Sequence, residues 1–332
     1  MAKKISMKDI AGELGVSIAL VSYVLNGKNQ KRINADTAKK ILDLAREKNY
    51  FPNQIAKSLK NNKTHTLGLI VADISNFFYS YIARYIEDEA NRYRNNVLFG
   101  SAYEDPERFK SLLNVMMSRQ VDGLILAIPD GAEDVIPYLQ NLNIPFVVID
   151  RVFPKFQHVT SICLDNFKAS EMVVEDFLKR GYKRLGAIGL STNLFHLHER
   201  KRGFTETAQR HIGKENVFVY EVDESDMNNR IESLIHKAIY DDKIDALCCF
   251  TNKIAMSTLP IILKYGIEVP KKLGIICYDE AEAYRLFPYP LSYVKQPLKD
   301  MSQSAVQFLV DTGKKPQDGI YEFQGELIDV NV

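Results

Sequence analysis

The sequence predicts an all-α helix-turn-helix headpiece followed by an α/β core of two doubly wound parallel-sheet lobes. Three observations carry this. Residues 1–50 hold three short helix patterns with no strand pattern between them. From Leu67 onward, short apolar runs alternate with amphipathic helical stretches, the βαβα order that builds parallel sheets. The series is also too long for one sheet, and 332 residues at roughly 100–200 per domain suggest two or three domains.

In the headpiece, Ser6 has the residue type of an N-cap before Met7–Leu14, and Ile10, Ala11 and Leu14 share one helical face. Gly15-Val16 makes the turn, with Gly15 free to take a left-handed conformation. Ser17 caps a second helix from Ile18 to about Asn26, whose Val21, Val24 and Leu25 face the first, and Gly27 ends it. Asn34 or Asp36 caps a third helix reaching about Lys48, with Ala38, Ile41, Leu42 and Ala45 inward. Tyr50-Phe51-Pro52-Asn53 breaks that helix; Gln54–Lys60 is helix-compatible again, and Asn61–Thr64 reads as a linker, so 51–64 is a connecting segment.

The core, residues 65–332, divides into two sets. Strand-like runs at Leu67–Ala72, Val97–Phe99, Gly123–Leu126 and Phe146–Ile149 alternate with helices at about Phe78–Tyr93, Glu107–Ser118 and Val135–Leu142. The second set runs through Ser161–Leu164, Leu185–Gly189, Val217–Val222, Ala246–Phe250 and Leu273–Cys277, with helices to Arg180, around Arg202–His211, to Tyr240 and to Tyr265. The expected lobes are 65–158 with 291–320, and 159–290 with 321–332. Ligands of open parallel sheets sit at the carboxyl ends of the strands, so two lobes place a cleft between those ends.

Composition narrows the class. At 46% hydrophobic and 26% charged the balance is ordinary for a globular protein. No apolar run reaches the ~18 residues of a membrane span, and the basic start Met-Ala-Lys-Lys is not followed by the apolar stretch of a secretory signal. A cytoplasmic protein without a membrane partner is expected. Cys163, Cys248, Cys249 and Cys277 lie in apolar, strand-like stretches without spaced ligands, which predicts buried thiols, no metal and no cofactor. The net charge of +1 hides an asymmetry: residues 1–62 carry 12 Lys/Arg against 5 Asp/Glu, or +7, and the remainder 31 against 37, or −6. A small basic head on a mildly acidic body suits a polyanion at the head.

A helix-turn-helix lays its second helix in the major groove of double-stranded DNA and reads base edges from that helix's first turns. On that geometry Ile18, Ala19, Ser22 and Tyr23 face the bases, while Ser17, Leu20 and Asn26 lie at the groove margin. Ser6, at the start of the first helix, joins this DNA-facing set. Any small three-helix bundle shares the helix-Gly-helix spacing, so the basic charge adds the discriminating weight.

The run Met7-Lys8-Asp9-Ile10-Ala11…Gly15-Val16-Ser17…Val21-Ser22…Val24-Leu25-Asn26-Gly27 resembles the lactose-repressor-like LacI/GalR family of bacterial transcription regulators. Tyr50…Pro52-Asn53…Ala56…Ser58-Leu59 resembles that family's hinge. The likeness continues through Asp73-Ile74-Ser75-Asn76, Val121-Asp122-Gly123-Leu124-Ile125, Asp150-Arg151, Arg200…Gly203-Phe204, Tyr278-Asp279 and Val294-Lys295-Gln296-Pro297, covering nearly the whole chain in the family's order. It implies a periplasmic-binding-protein-like core and a nucleoid-associated homodimer reading a near-palindromic operator. It also implies a repressor controlled by a small-molecule effector, a sugar or sugar derivative, held between the lobes. In the hinge it implies Leu59 as an apolar wedge in the minor groove, Ala56 as a residue small enough for close approach, and Asn53 and Lys57 as DNA-backbone contacts. The other reading of Leu59 is packing against the core. Two positions depart from the family pattern: Leu20 stands where Thr is usual, removing a hydroxyl, and Tyr23 where Arg is usual, removing a bidentate partner for guanine.

The resemblance also carries seven residues into the cleft. Phe78 and Tyr79 supply aromatic faces; Asp150, Arg200, Asn252 and Asp279 supply groups that bond sugar hydroxyls in pairs. Gln296, near the lobe crossover, touches either the ligand or a dimer partner. Other readings stand beside these: a local Asp150–Arg151 ion pair, a helix cap at Asp279, and a solvated charge face around Arg200. Lys253 reverses the family's usual Asp, and Ala127 offers no polar group at its strand end. His196 and His198 fall in a segment read as loop beside the cleft and are expected on the surface, a ligand contact being the other reading.

Three other functions compete. A periplasmic-type sugar-binding protein shares the lobes but lacks the headpiece. A ligand-independent DNA-binding protein shares the headpiece but has no use for the polar cleft set. An enzyme would show a nucleophile elbow, a phosphate loop or metal spacing, and none is present; Asp150 and Asp279 as a glycosidase pair add chemistry that binding does not need.

Overall fold

The computed structural model describes residues 5–26, 33–50, 63–310 and 318–330. The chain forms two compact units, Met1–Thr64 and His65–Val332.

The first unit is the headpiece. Helix α1 (Met7–Leu14) opens with a capping box: Asp9 N–H donates to Ser6 Oγ at 3.3 Å and Ser6 N–H to Asp9 Oδ2 at 2.8 Å. Gly15 ends it at φ 67°, the left-handed geometry that lets the chain reverse in one residue. Helix α2 (Ile18–Leu25) is capped by Ser17, whose Oγ accepts from Leu20 N–H at 3.1 Å. Asn34, rather than Asp36, caps helix α3 (Ala35–Glu47). Ile10, Val21, Val24, Ile41, Leu44 and Ala45 close a small apolar core. Leu42 turns outward instead of inward and Leu44 takes its place, because the buried stripe of α3 runs 41, 44, 45.

The second unit contains two six-stranded sheets. The N-lobe is built from β1 (Thr66–Val71), α4 (Phe77–Arg92), β2 (Asn96–Ser101), α5 (Pro106–Ser118), β3 (Gly123–Leu126), α6 (Val135–Asn141), β4 (Phe146–Ile149) and β5 (Thr160–Leu164). The C-lobe follows with α7 (Asn166–Lys179), β6 (Leu185–Leu190), α8 (Phe195–Ile212), β7 (Val217–Val222), α9 (Met227–His236), β8 (Ala246–Cys249), α10 (Asn252–Lys264), β9 (Gly274–Tyr278) and β10 (Leu291–Lys295). Helix α11 (Leu298–Val310) and β11 (Gly319–Phe323) return to the N-lobe, and β12 (Glu326–Val330) ends in the C-lobe. The sheet orders are β11-β5-β4-β3-β1-β2 and β12-β10-β9-β8-β6-β7.

Central strands β3, β5, β8 and β9 are buried along their whole length, as strands covered on both faces must be. In the N-lobe, α4 and α11 cover one face, and α5 and α6 the other. In the C-lobe, α9 and α10 cover one face, and α7 and α8 the other. All four cysteines are free and buried.

The structure moves the expected lobe limits of 158/159 and 290/291. Strand β5 pairs with β4 and belongs to the N-lobe, whereas β10 pairs with β9 and belongs to the C-lobe. Similarly, 321–323 lie in the N-lobe strand β11. The N-lobe is completed by β11 from the far end of the chain, and the C-lobe by β12 that follows it, pairings that local pattern cannot reveal. The chain crosses between lobes at Asp165, at Gln296-Pro297 and at Gln324-Gly325. The last crossing is only two residues long, so β12 runs antiparallel to β10 within an otherwise parallel sheet.

Candidate ligand cleft and DNA-reading helix

The carboxyl ends of both sheets' strands face one cavity of about 440 Å³, within the ~300–1,000 Å³ usual for small-molecule sites. Phe78, Tyr79, Asp150, Arg200, Asn252, Asp279 and Gln296 all line it. Sequence positions as far apart as 78 and 296 are therefore brought together by strand ends.

Asp150 follows β4 and Asp279 follows β9, one in each lobe. Both adopt left-handed backbone, φ 69° and 64°, a conformation that is sparsely used outside glycine and concentrates at functional sites. Asp150 Oδ2 accepts from Tyr79 Oη at 2.8 Å and lies 3.6 Å from Arg151 Nε. Arg151 also donates to Glu104 at 2.6 Å and to Tyr79 Oη at 3.0 Å. The Asp150–Arg151 pair exists, and it sits within a larger buried network at the cavity wall. Asp279 caps no helix; its carboxylate accepts from Gln296 Nε2 at 2.6 Å and from Asn252 N–H. Burial raises its pKa above the usual carboxylate range, with Arg200 and Gln296 pulling the other way.

Arg200 is not on a solvated face: it is 3% exposed. It donates from Nε to Asn166 Oδ1 at 2.7 Å and from NH1 to the Phe250 carbonyl at 2.6 Å, with its guanidinium 4.2 Å from the Tyr278 ring centre. It lies within α8, which begins at Phe195, seven residues before the expected start. Leu194 precedes the helix and makes no side-chain cap, so the usual start signal is missing. That early start also corrects His196. It is buried on α8 and lines the cavity, while His198 stays exposed. Burial pushes the His196 pKa down to about 3, and its Nδ1 has no hydrogen-bond partner.

Sequence reasoning also missed what holds the lobes together at the cleft. Asn76, the N-cap of α4, and Asn252, the first residue of α10, form a reciprocal amide pair at 2.8 and 3.2 Å. Asn193 donates to Asp130 from the opposite lobe through N–H at 3.4 Å and Nδ2 at 3.3 Å. Asn76 stands in the Asp73–Asn76 run that resembles the family, but no local signal points to a partner 176 residues away. Lys253 pairs with Glu224 at the rim, and Ala127 is fully buried.

In the headpiece, α2 buries Val21 and Val24 and exposes Ile18 (47%), Ala19 and Tyr23 (44%), with Ser22 and Leu20 half-buried and Asn26 exposed. Asn26 Nδ2 donates to the Ser22 carbonyl at 2.8 Å. Ser6 spends its hydroxyl on Asp9 Oδ2 at 2.6 Å, so its place in the DNA-facing set rests on position alone. Asn53, Ala56, Lys57 and Leu59 lie outside the described residues.

Comparison with known proteins agrees with both units. Residues 6–53 match the family model for bacterial regulatory proteins, lacI family, and residues 174–320 that for a periplasmic binding protein-like domain. The chain is 31% identical over 333 residues to the HTH-type transcriptional regulator RegA of Clostridium saccharobutylicum, covering 98% of each. Its fold is similar to the lac repressor dimer bound to operator and the anti-inducer ONPF, with a TM-score of 0.85, 20% identity and 98% of each chain covered. It is also similar to the transcriptional regulator CelR–cellobiose complex, with a TM-score of 0.68, 19% identity and 98% of each chain covered. Among the described residues no helix is long and apolar enough to cross a membrane. The headpiece, the two-lobed core and the full-length relative together place this chain in the LacI family of DNA-binding transcription regulators.

Proposed function

We propose that the chain is a repressor, acting as a homodimer on a near-palindromic operator and controlled by a sugar or sugar derivative bound between the lobes. The observation that carries the ligand half is the convergence of seven polar and aromatic side chains, from six separate loops and helix starts, on one cavity. The carboxylates of Asp150 and Asp279, the amides of Asn252 and Gln296 and the guanidinium of Arg200 match paired hydroxyls, and Phe78 with Tyr79 offers the apolar wall. The operator-bound lac repressor and the cellobiose-bound CelR share this fold, which supports the same division of labour.

On the DNA side, Ile18, Ala19, Ser22 and Tyr23 read base edges, and Ser6, Ser17, Leu20 and Asn26 position the helix at the groove margin. Leu59, with Ala56 permitting close approach, serves the minor groove, and Asn53 and Lys57 contact the DNA backbone. The protein works in the cytoplasm, on the nucleoid. A ligand that favours one lobe arrangement shifts the population and, with it, operator affinity.

The test is selection of binding sites from a random DNA pool, followed by binding to the selected site with and without a carbohydrate panel. A two-fold-symmetric motif whose affinity changes with one sugar is the expected result. No enriched motif, or a motif whose binding ignores every ligand that stabilises the protein, would sink the reading.

A further inference from the structure

The cleft's charge separates two kinds of sugar that its size does not. Seven carboxylates line it against three cations, Arg151, Arg200 and Lys253. Each cation is already engaged within the chain. Arg151 holds Glu104 and Asp150, and Lys253 holds Glu224. Arg200 holds Asn166, the Phe250 carbonyl and the face of Tyr278. At the starts of α4 and α10, helix N-termini being the other common seat for a phosphate, a side-chain cap is already in place. Asn76 Oδ1 accepts from Phe78 N–H at 3.0 Å at the start of α4, and Thr251 Oγ1 accepts from Ile254 N–H at 3.2 Å at the start of α10. The start of α8 has no side-chain cap; just ahead of it, the backbone and side-chain amides of Asn193 donate to the Asp130 carboxylate, which adds negative charge there.

A second observation concerns the unpartnered atoms. Gln296 Oε1, His196 Nδ1 and Arg151 Nε belong to buried residues of the cavity lining and have no hydrogen-bond partner; the residues are 5%, 6% and 2% exposed, and Arg151 Nε faces the Asp150 carboxylate at 3.6 Å. Gln296 Oε1 needs a donor, and so do the remaining lone pairs of Asp150 and Asp279. A sugar hydroxyl donates to any of them. An ionised phosphate only accepts, so it satisfies none and adds like charge beside seven carboxylates.

We propose that the cleft takes a sugar or polyol carrying no phosphate or other anionic group, its hydroxyls donating to Asp150, Asp279 and Gln296. This rests on the sugar-sensor reading above and deepens it. The acidic lining then discriminates by repulsion as well as by fit.

The test uses the full chain in thermal shift and calorimetry with matched pairs: glucose and glucose 6-phosphate, fructose and fructose 1-phosphate, cellobiose and its phosphate ester. Inorganic phosphate is run against chloride at equal ionic strength. A free sugar should bind, its phosphate should bind about 100-fold or more weakly, and inorganic phosphate should shift nothing beyond chloride. A phosphate ester binding as tightly as its parent overturns the proposal and leaves the sugar-sensor reading intact. So does a phosphate-specific shift abolished by Arg200→Gln. If no sugar of either kind binds, the sugar-sensor reading itself fails and this inference falls with it.

Discussion

At the residue scale, two side chains depart from what their surroundings first suggest. His196 titrates near 6.5 when unfolded and at about 3 when folded, because burial disfavours the imidazolium; Asp150 opposes that shift, and Arg151, Arg200 and His198 add to it. Above pH 6.5 neither state carries the proton and the folded state keeps its full stability. As pH falls from 6.5 toward 3, the unfolded chain takes up a proton that the folded chain refuses, so stability drops by up to about 1.4 kcal/mol per pH unit. Asp279, with its raised pKa, contributes the opposite slope where it titrates. The useful measurement is therefore the difference between wild type and His196→Asn in denaturant unfolding across that window. The variant should lose stability less steeply, and parallel profiles would refute a buried neutral imidazole. Tyr23 is the second case. It is exposed on the reading helix and cannot make the bidentate contact that arginine makes with guanine. Tyr23→Ala should relax base preference at one position of each half-site in a selection experiment. An unchanged motif would assign Tyr23 to the groove wall.

At the scale of elements, two contacts decide how helices meet. Gly203 lies on α8 where it passes α7, and a Cβ there would fall 2.4 Å from the Phe167 carbonyl oxygen. Backbone cannot yield as a flexible side chain can, so Gly203→Ala should destabilise the core by about 1–3 kcal/mol, read as a lowered Tm. An unchanged Tm would mean that the two helices part easily. The Asn76–Asn252 amide pair joins the starts of α4 and α10 across the cleft. Asn76→Ser keeps an N-cap oxygen for α4 but is too short to reach Asn252. Losing two hydrogen bonds at about 0.5–1.5 kcal/mol each should shift the lobes toward an open arrangement by about 1–3 kcal/mol. Amide hydrogen exchange in residues 73–78 and 251–254 should quicken. Unchanged exchange in both segments would show that the pair does not hold the lobes.

For the whole molecule, the three crossings at Asp165, Gln296-Pro297 and Gln324-Gly325 are the covalent links between lobes. Gln324 Nε2 donates to Asp165 Oδ2 at 3.2 Å, and Asp165 N–H to the Phe323 carbonyl at 2.8 Å, so two of the crossings are tied to each other. Such a link permits rigid lobes to move about a short axis, the kind of hinge that couples ligand closure to a distant readout. With its effector at 100 times Kd, the protein should gain about 2.7 kcal/mol of stability. Operator affinity should change by about 5–150-fold, the span of ordinary coupling energies. Stabilisation without any change at the operator would separate binding from regulation.

Much of this was legible in the order of residues. The caps at Ser6 and Ser17, the left-handed turn at Gly15 and the alternation of apolar runs with helices are local signals, set by hydrogen bonds and periodicity within a few residues. They determined the headpiece, the α/β core and the strand ends at which Asp150, Asn252 and Asp279 project. Other features depended on partners far along the chain. Only the tertiary structure moved β5 and β10 to their lobes, turned β12 antiparallel, buried His196 and Arg200 on an uncapped helix, and joined Asn76 to Asn252. Local sequence sets which way a backbone can run, but burial and charge at the cleft depend on the neighbours that folding supplies.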